Sequence, residues 1–249
     1  MEILHETEFL NHTLALTLSG DDGRPVLDHH AYARLARALG DAAACDEVRV
    51  VVLRGLAGCF CLGGDLSEFL DPAKHPSLIE AVTDLFRALA TFPKPIIACV
   101  EGDAVGVGCT ILFHCDLVYA SETSTFRVPF VDLGLVPDAA TSILAPRKLG
   151  YRAAFRFFCL GETLDAQAAL RLGLVSDLVE AGDAERAARD TARRLARKPV
   201  RSLTQTRKLL KGDTALLCER IDHEISLFHD ALKDETTIRR LKRVARMAA

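Results

Sequence analysis

Three short apolar runs constrain this chain most: VRVVVL (48–53), PIIACV (95–100) and LVYA (117–120). Each has the length of a strand, and the first two carry almost no polar residue. Strands read this way when both faces are covered, as in a parallel sheet flanked by helices. Between them the period becomes helical. HAYARLARALGDAAA (30–44) sets Tyr32, Leu35, Ala36 and Leu39 on one face, and LIEAVTDLFRALATF (78–92) runs as a helix up to Pro93. LALTLS (14–19) adds a strand and CTILFHC (109–115) an apolar helix. This β-then-α rhythm predicts an α/β fold. After Pro146 helix formers dominate, in RAAFRFFCL, AQAALRLG, AERAARDTARRLARK and the stretch from Leu203, with LVSDLVE (174–180) as a strand-like interruption. No repeat or flexible linker breaks the chain, so residues 1–195 are expected to form an α/β core and residues 196–249 a helical region of the same domain.

With 249 residues, 49% of them hydrophobic, the chain can bury one large core. A net charge of −3 gives no general pull toward nucleic acid, and the basic run ARRLARK (192–198) reads as a solvated helix face. No apolar run reaches membrane-spanning length, and the N-terminal MEILHETEFLNHT has acids but no apolar signal core. The expectation is a soluble, cytoplasmic protein with neither a nucleic-acid nor a membrane partner. The eight cysteines fit no zinc or redox spacing and read as buried free thiols, and the eight histidines show no ligand spacing, so no metal is expected. His29-His30 reads as a surface pair opening a helix, and His114 as a core residue.

Two places set glycines between a buried strand and a helix: GCFCLGGDLSEFL, with Gly63 and Gly64, and EGDAVGVGCTILF, with Gly102, Gly106 and Gly108. Glycine allows positive φ and close approach of a ligand. The lysine and hydroxyl of a phosphate loop are absent, and Gly106-Val107-Gly108 lacks the third glycine of a dinucleotide fingerprint. Two such turns, each offering one backbone N–H, suit an oxyanion hole; either turn alone is equally a packing device. Downstream, RVPFVDLGLVPDAA (127–140) holds two acids. Asp138, between Pro137 and a helical stretch, reads as a helix N-cap or as a catalytic base. Asp132, beside Gly134, reads as a turn cap, and Asp65, after Gly63-Gly64, as a helix cap.

FCLGGDL (60–66), PKPIIACVEGDAVGVGCTILFHCDLVYASETSTFRVPFVDLGLVP (93–137) and LGETLDAQAALRLGLVSDLV (160–179), in that order, resemble the enoyl-CoA hydratase/isomerase (crotonase) superfamily over about residues 12 to 230. The resemblance implies a crotonase-like spiral of ββα-type repeats with a helical C-terminal region that builds trimers, often paired as hexamers. It implies an acyl-CoA thioester substrate, with coenzyme A as part of that substrate and no separate cofactor. By position, the Leu62 and Val107 amides would form the oxyanion hole, and Gly63, Gly108, Thr110 and Phe130 would contact substrate. Superfamily hydratases carry glutamates where this chain has Thr110 and Phe130, so both water-adding carboxylates are missing. The pattern is closer to Δ3,Δ2-enoyl-CoA isomerases, whose glutamate base falls at Asp138. Aspartate is one methylene shorter, which draws the oxygens back by about 1.5 Å. Arg24, Lys208 and Lys211 are the candidate contacts to the coenzyme A phosphates. The function so implied is a double-bond shift in an enoyl-CoA; hydration through a non-standard acid, or a weakly active acyl-CoA-binding subunit, are the alternatives.

Overall fold

The computed structural model describes residues 8–20 and 22–248; residues 1–7, part of the N-terminal stretch read above, lie outside them. Strands β1 (Glu8–Leu10) and β2 (Thr13–Thr17) pair antiparallel through a tight turn at Asn11 and His12. Helix α1 (His29–Ala44) follows, its first turn capped by the Asp28 carboxylate, which accepts the Ala31 amide at 2.7 Å.

Three units of strand, strand and helix come next. The first holds β3 (Val50–Arg54), β4 (Cys59–Cys61), α2 (Leu66–Phe69) and α3 (His75–Thr91). The second holds β5 (Ile96–Val100), β6 (Asp103–Val105) and α4 (Val107–Thr110). The third holds β7 (Leu117–Ser121), β8 (Thr125–Arg127) and α5 (Phe130–Leu133). Each unit adds its first strand to one sheet and its second to another. Thus β3, β5 and β7 run parallel in the larger sheet, and β4, β6 and β8 run parallel in the smaller. This is the expected spiral. The chain continues through α6 (Thr141–Leu149), α7 (Tyr151–Cys159), β9 (Leu164–Asp165), α8 (Ala166–Leu172), β10 (Asp177–Val179) and α9 (Ala184–Ala196). The larger sheet is ordered β1-β2-β3-β5-β7-β10 and the smaller β4-β6-β8-β9. Helices α10 (Val200–Lys211), α11 (Thr214–Ala231) and α12 (Glu235–Ala248) complete the helical C-terminal region. No helix among the described residues is long and apolar enough to cross a membrane.

The period of two in β3 explains why its run is apolar throughout. Val51 and Leu53 face the main core under α1 and α3, while Val50 and Val52 face a second cluster with Ile97 and Cys99. Helix α9 closes that second face with Ala184, Ala188, Ala192 and Ala196, spaced four apart so that the helix lies close to the sheet. Arg186 and Arg193 point outward and pair locally, with Asp183 and Asp190. Arg49, the one polar residue of the VRVVVL run, donates to the Ala196 carbonyl at 2.9 Å and so satisfies an orphan acceptor at the end of α9.

Three expectations need correction. The CTILFHC stretch is not one α-helix: α4 gives way to a 3-10 turn over Ile111–His114. The Cys115 amide bonds Leu112 at 3.2 Å, which tightens the winding just before β7 begins at Leu117. Cys61, Cys99, Cys109 and Cys115 are buried, but Cys45 and Cys159 are exposed, where α1 and α7 run out. His29 is not a surface residue; its amide and Nδ1 bond the Glu68 carboxylate at 2.8 and 2.5 Å, whereas His30 is exposed.

Two glycines give opposite predictions. Gly102 has φ +72°, and a Cβ there would lie 2.0 Å from the Gly58 carbonyl oxygen, whereas Gly40 sits on the exposed face of α1 with open space around it. Gly40→Ala should therefore raise stability by about 0.5–1 kcal/mol. Gly102→Ala should lower it by more than about 1–2 kcal/mol, since backbone overlap adds to left-handed strain. Urea unfolding of both variants checks the signs.

Candidate active site

The two glycine turns and Phe130 occupy equivalent places in the three units: each follows a strand of the smaller sheet and precedes a short helix. Parallel strands thus deliver Leu62-Gly63-Gly64, Gly106-Val107 and Pro129-Phe130 to one end of the sheet, where open α/β sheets commonly bind ligands. The turns touch: a Cβ on Gly106 would lie 3.8 Å from the Gly63 Cα and 3.6 Å from the Phe130 ring. Leu62, Gly63, Val107, Phe130 and Asp138 all line one apolar cleft. Ile225 and Phe228 of α11 and Tyr32 of α1 form other parts of its wall.

Asp138 is the carboxylate that enters this cleft, and it is 7% exposed. It does not cap α6. That helix begins at Thr141, and the residues before it, Ala139 and Ala140, are in the left-handed region with φ 56° and 57°. Such a turn is unfavourable for alanine and must be held from outside. Glu224 of α11 holds it: its carboxylate accepts the Ala140 amide at 2.6 Å and the Ser142 amide at 3.1 Å. The orphan amides at the start of α6 are thereby satisfied by a residue distant in sequence, and the Asp138 side chain is released into the cleft. His114 supports the turn from the other side. Its Nε2–H donates to the Ala139 carbonyl at 2.8 Å, and burial pushes its pKa down to about 3, so the ring is neutral.

Burial pushes the Asp138 pKa up to about 7; the Thr110 hydroxyl draws it partly back, and the nearby Glu224 charge raises it further. The Asp138 Oδ1 atom is sealed and has no hydrogen-bond partner among the described residues. A carboxylate in this state takes up and releases protons near neutrality.

The remaining candidates separate. Thr110 is fully buried beneath the cleft. Gly108 does not line the cleft but lets α4 meet β4, because a Cβ there would lie 2.6 Å from the Cys61 carbonyl oxygen. The Leu62 amide is not free: it donates to the Pro25 carbonyl at 2.6 Å. The Gly63 amide leans only on Cys61 Sγ at 3.5 Å, and the Val107 amide has no partner among the described residues. Arg24 is exposed at the edge of the first turn, paired with Asp22 and, at 3.1 Å, with Asp65, which also caps α2 through the Ser67 amide. Lys208 is exposed on α10. Lys211 does not face the cleft in this chain; its Nζ bonds the Leu89 and Ala90 carbonyls near the end of α3, and it lines a separate cleft with Asp116 and Arg207. Asp132 does not cap its turn either, since its carboxylate pairs with Arg127 at 3.2 Å.

Against known proteins, the model described as enoyl-CoA hydratase/isomerase matches residues 23–242. The chain belongs to the enoyl-CoA hydratase/isomerase family. It is 32% identical over 198 residues to an Escherichia coli 2,3-dehydroadipyl-CoA hydratase, covering 80% of this chain and 78% of that one. It is 31% identical over 218 residues to an Escherichia coli 1,2-epoxyphenylacetyl-CoA isomerase, covering 85% and 83%. Pseudomonas aeruginosa OdaA is similar in structure, with a TM-score of 0.90 at 34% identity over 96% of this chain and 97% of that one. The chain is thus an enzyme of this hydratase/isomerase family with the fold of its solved members.

Two residues of the site escaped the sequence, one in the cleft wall and one behind it. Tyr32 read as a core position on α1. Glu224 carried no signal, because its partners lie more than eighty residues upstream.

Holding Asp138 ionised when its pKa has risen from 3.8 to about 7 costs about 4 kcal/mol. A carboxylate whose folded pKa is raised leaves stability intact below its unfolded pKa and loses it as pH rises through the folded value. Asp138→Asn should therefore gain stability over the wild type progressively between about pH 4 and about pH 7. Thermal midpoints of the two proteins across that range check this, and a constant difference would show that Asp138 is not the buried ionised group.

Proposed function

We propose that this enzyme moves a carbon–carbon double bond in an enoyl-CoA thioester, with Asp138 as the single base. The observation that carries the reading is one buried carboxylate, with a pKa of about 7, in a cleft that no other acid lines among the described residues, with Thr110 and Phe130 standing where the resemblance places a hydratase's glutamates. Adding water requires groups that orient the water and move its proton. Moving a double bond requires only one group that takes a proton and gives it back. In a 3-enoyl-CoA, Asp138 takes the proton from the carbon next to the carbonyl. The C–H electron pair passes into a dienolate whose charge lies on the thioester oxygen. Asp138 then returns the proton to the γ carbon, the double bond comes into conjugation, and the atoms of the substrate are unchanged.

The Val107 amide is the backbone donor to that oxygen. Arg24, exposed beside the first glycine turn, and the exposed Lys208 are offered for coenzyme A phosphates; Lys211 would serve only in an arrangement of chains that brings it to another cleft. A trimer or hexamer in the cytoplasm belongs to the same reading. Val200, Leu209 and Leu210 of α10, which are 49%, 83% and 84% exposed, support burial against another copy.

Incubation with 3-enoyl-CoA and 2-enoyl-CoA, with products separated by mass, tests the reading. An isomer of unchanged mass is expected. Gain of one water would make the enzyme a hydratase, and tight binding without turnover would make it a binding subunit. Asp138→Asn should lower the isomerisation rate by at least about 100-fold and keep acyl-CoA binding, whereas Asp132→Asn should leave turnover near that of the wild type.

A further inference from the structure

An oxyanion hole needs two donors, and the Val107 amide fills only one of the two places. The Leu62 amide is held by Pro25 at 2.6 Å. Tyr32 borders the same space. The residue is 3% exposed, yet its hydroxyl makes no hydrogen bond among the described residues, and its oxygen is not sealed off by its neighbours. Its oxygen therefore opens on the cleft that its side chain lines. Buried phenols ordinarily find a partner, so a hydroxyl left open in an apolar wall points to a ligand atom that would meet it.

The position suits one ligand atom in particular. A Cβ built on Gly64 would lie 3.0 Å from the Tyr32 oxygen, which sets the hydroxyl against the first glycine turn. Gly63 of that turn lies against Gly106, the residue before Val107. The phenol, the first turn and Val107 thus line one cleft, with the Asp138 carboxylate close enough to act on the phenol's charge. We propose that the Tyr32 hydroxyl donates a hydrogen bond to the thioester oxygen, so that the oxyanion hole of this enzyme is one backbone amide, Val107, and one phenol. This rests on the reading that the cleft takes an acyl-CoA thioester. No proton leaves Tyr32 in the step. Asp138 takes the carbon-bound proton, charge develops on the thioester oxygen, and the phenol O–H stays intact while its hydrogen bond strengthens. Burial first, and then the charges of Asp138, Cys61, Glu68 and Asp28 around it, hold the Tyr32 pKa well above its ordinary value of 10, which keeps it a donor. Carboxylate base and phenol donor in one apolar site is an arrangement known to move a double bond next to a carbonyl.

The test separates this inference from the isomerase reading. A saturated acyl-CoA labelled with 13C at the thioester carbonyl binds without reacting, and difference infrared spectroscopy reads its carbonyl stretch. The wild type should lower that frequency relative to free ligand. Tyr32→Phe, which fills the same space, should move it back part of the way while the dissociation constant changes less than about threefold. On a 3-enoyl-CoA the same variant should lose about 100- to 1,000-fold in kcat with little change in KM. Incorporation of 3-fluorotyrosine, a stronger donor, should lower the frequency further. If the wild type lowers the frequency, Tyr32→Phe reverses it and yet no enoyl-CoA is turned over, the phenol donor stands and the isomerase reading falls. If the frequency in Tyr32→Phe equals that of the wild type, or if the wild type leaves it at the value for free ligand, the proposal is overturned; in the first case the second donor is an amide of the first glycine turn.

Discussion

The geometry of this site depends on the Glu224 carboxylate, which bonds the Ala140 and Ser142 amides. Two consecutive left-handed alanines do not hold themselves, and the start of a helix leaves amides that need acceptors. Had Asp138 met that need, its side chain would have been spent on the backbone, as its sequence context suggests. A buried glutamate from the C-terminal helices does so instead. The same helices wall the cleft with Ile225 and Phe228, so the region that follows the α/β spiral is part of the site.

Charge follows from this placement. Asp138 lies among apolar side chains with Glu224 as a like-charged neighbour and a single hydroxyl, Thr110, to offset them. The balance raises its pKa from 3.8 to about 7. The stability lost in ionising it is the counterpart of a base that exchanges protons near neutral pH. His114 does not compete for this role, because its ring is buried, neutral and engaged with Ala139.

Local patterns made most of the fold legible. The apolar runs of β3 and β5 read as doubly covered strands because α9 closes one face and α1 and α3 the other. The glycine turns could be located because close packing leaves room for no side chain at Gly102 or Gly108. What could not be read depends on partners far along the chain. Glu224 meets α6 from α11, and Pro25 takes the Leu62 amide. Lys211 caps α3 instead of facing the cleft. Asp138 could be singled out as one of two acids, but whether it capped a helix or entered the cleft turned on Glu224.

One buried carboxylate with a raised pKa is proposed to perform both proton transfers. The pH dependence of kcat/KM for conversion of a 3-enoyl-CoA to its conjugated isomer, measured from about pH 5 to about pH 9, tests it most directly. The rate should rise about tenfold per pH unit on the acid side and level off above an apparent pKa of about 7, the value set by burial of Asp138. A rate that is flat across this range, as an exposed carboxylate of ordinary pKa would give, would contradict it.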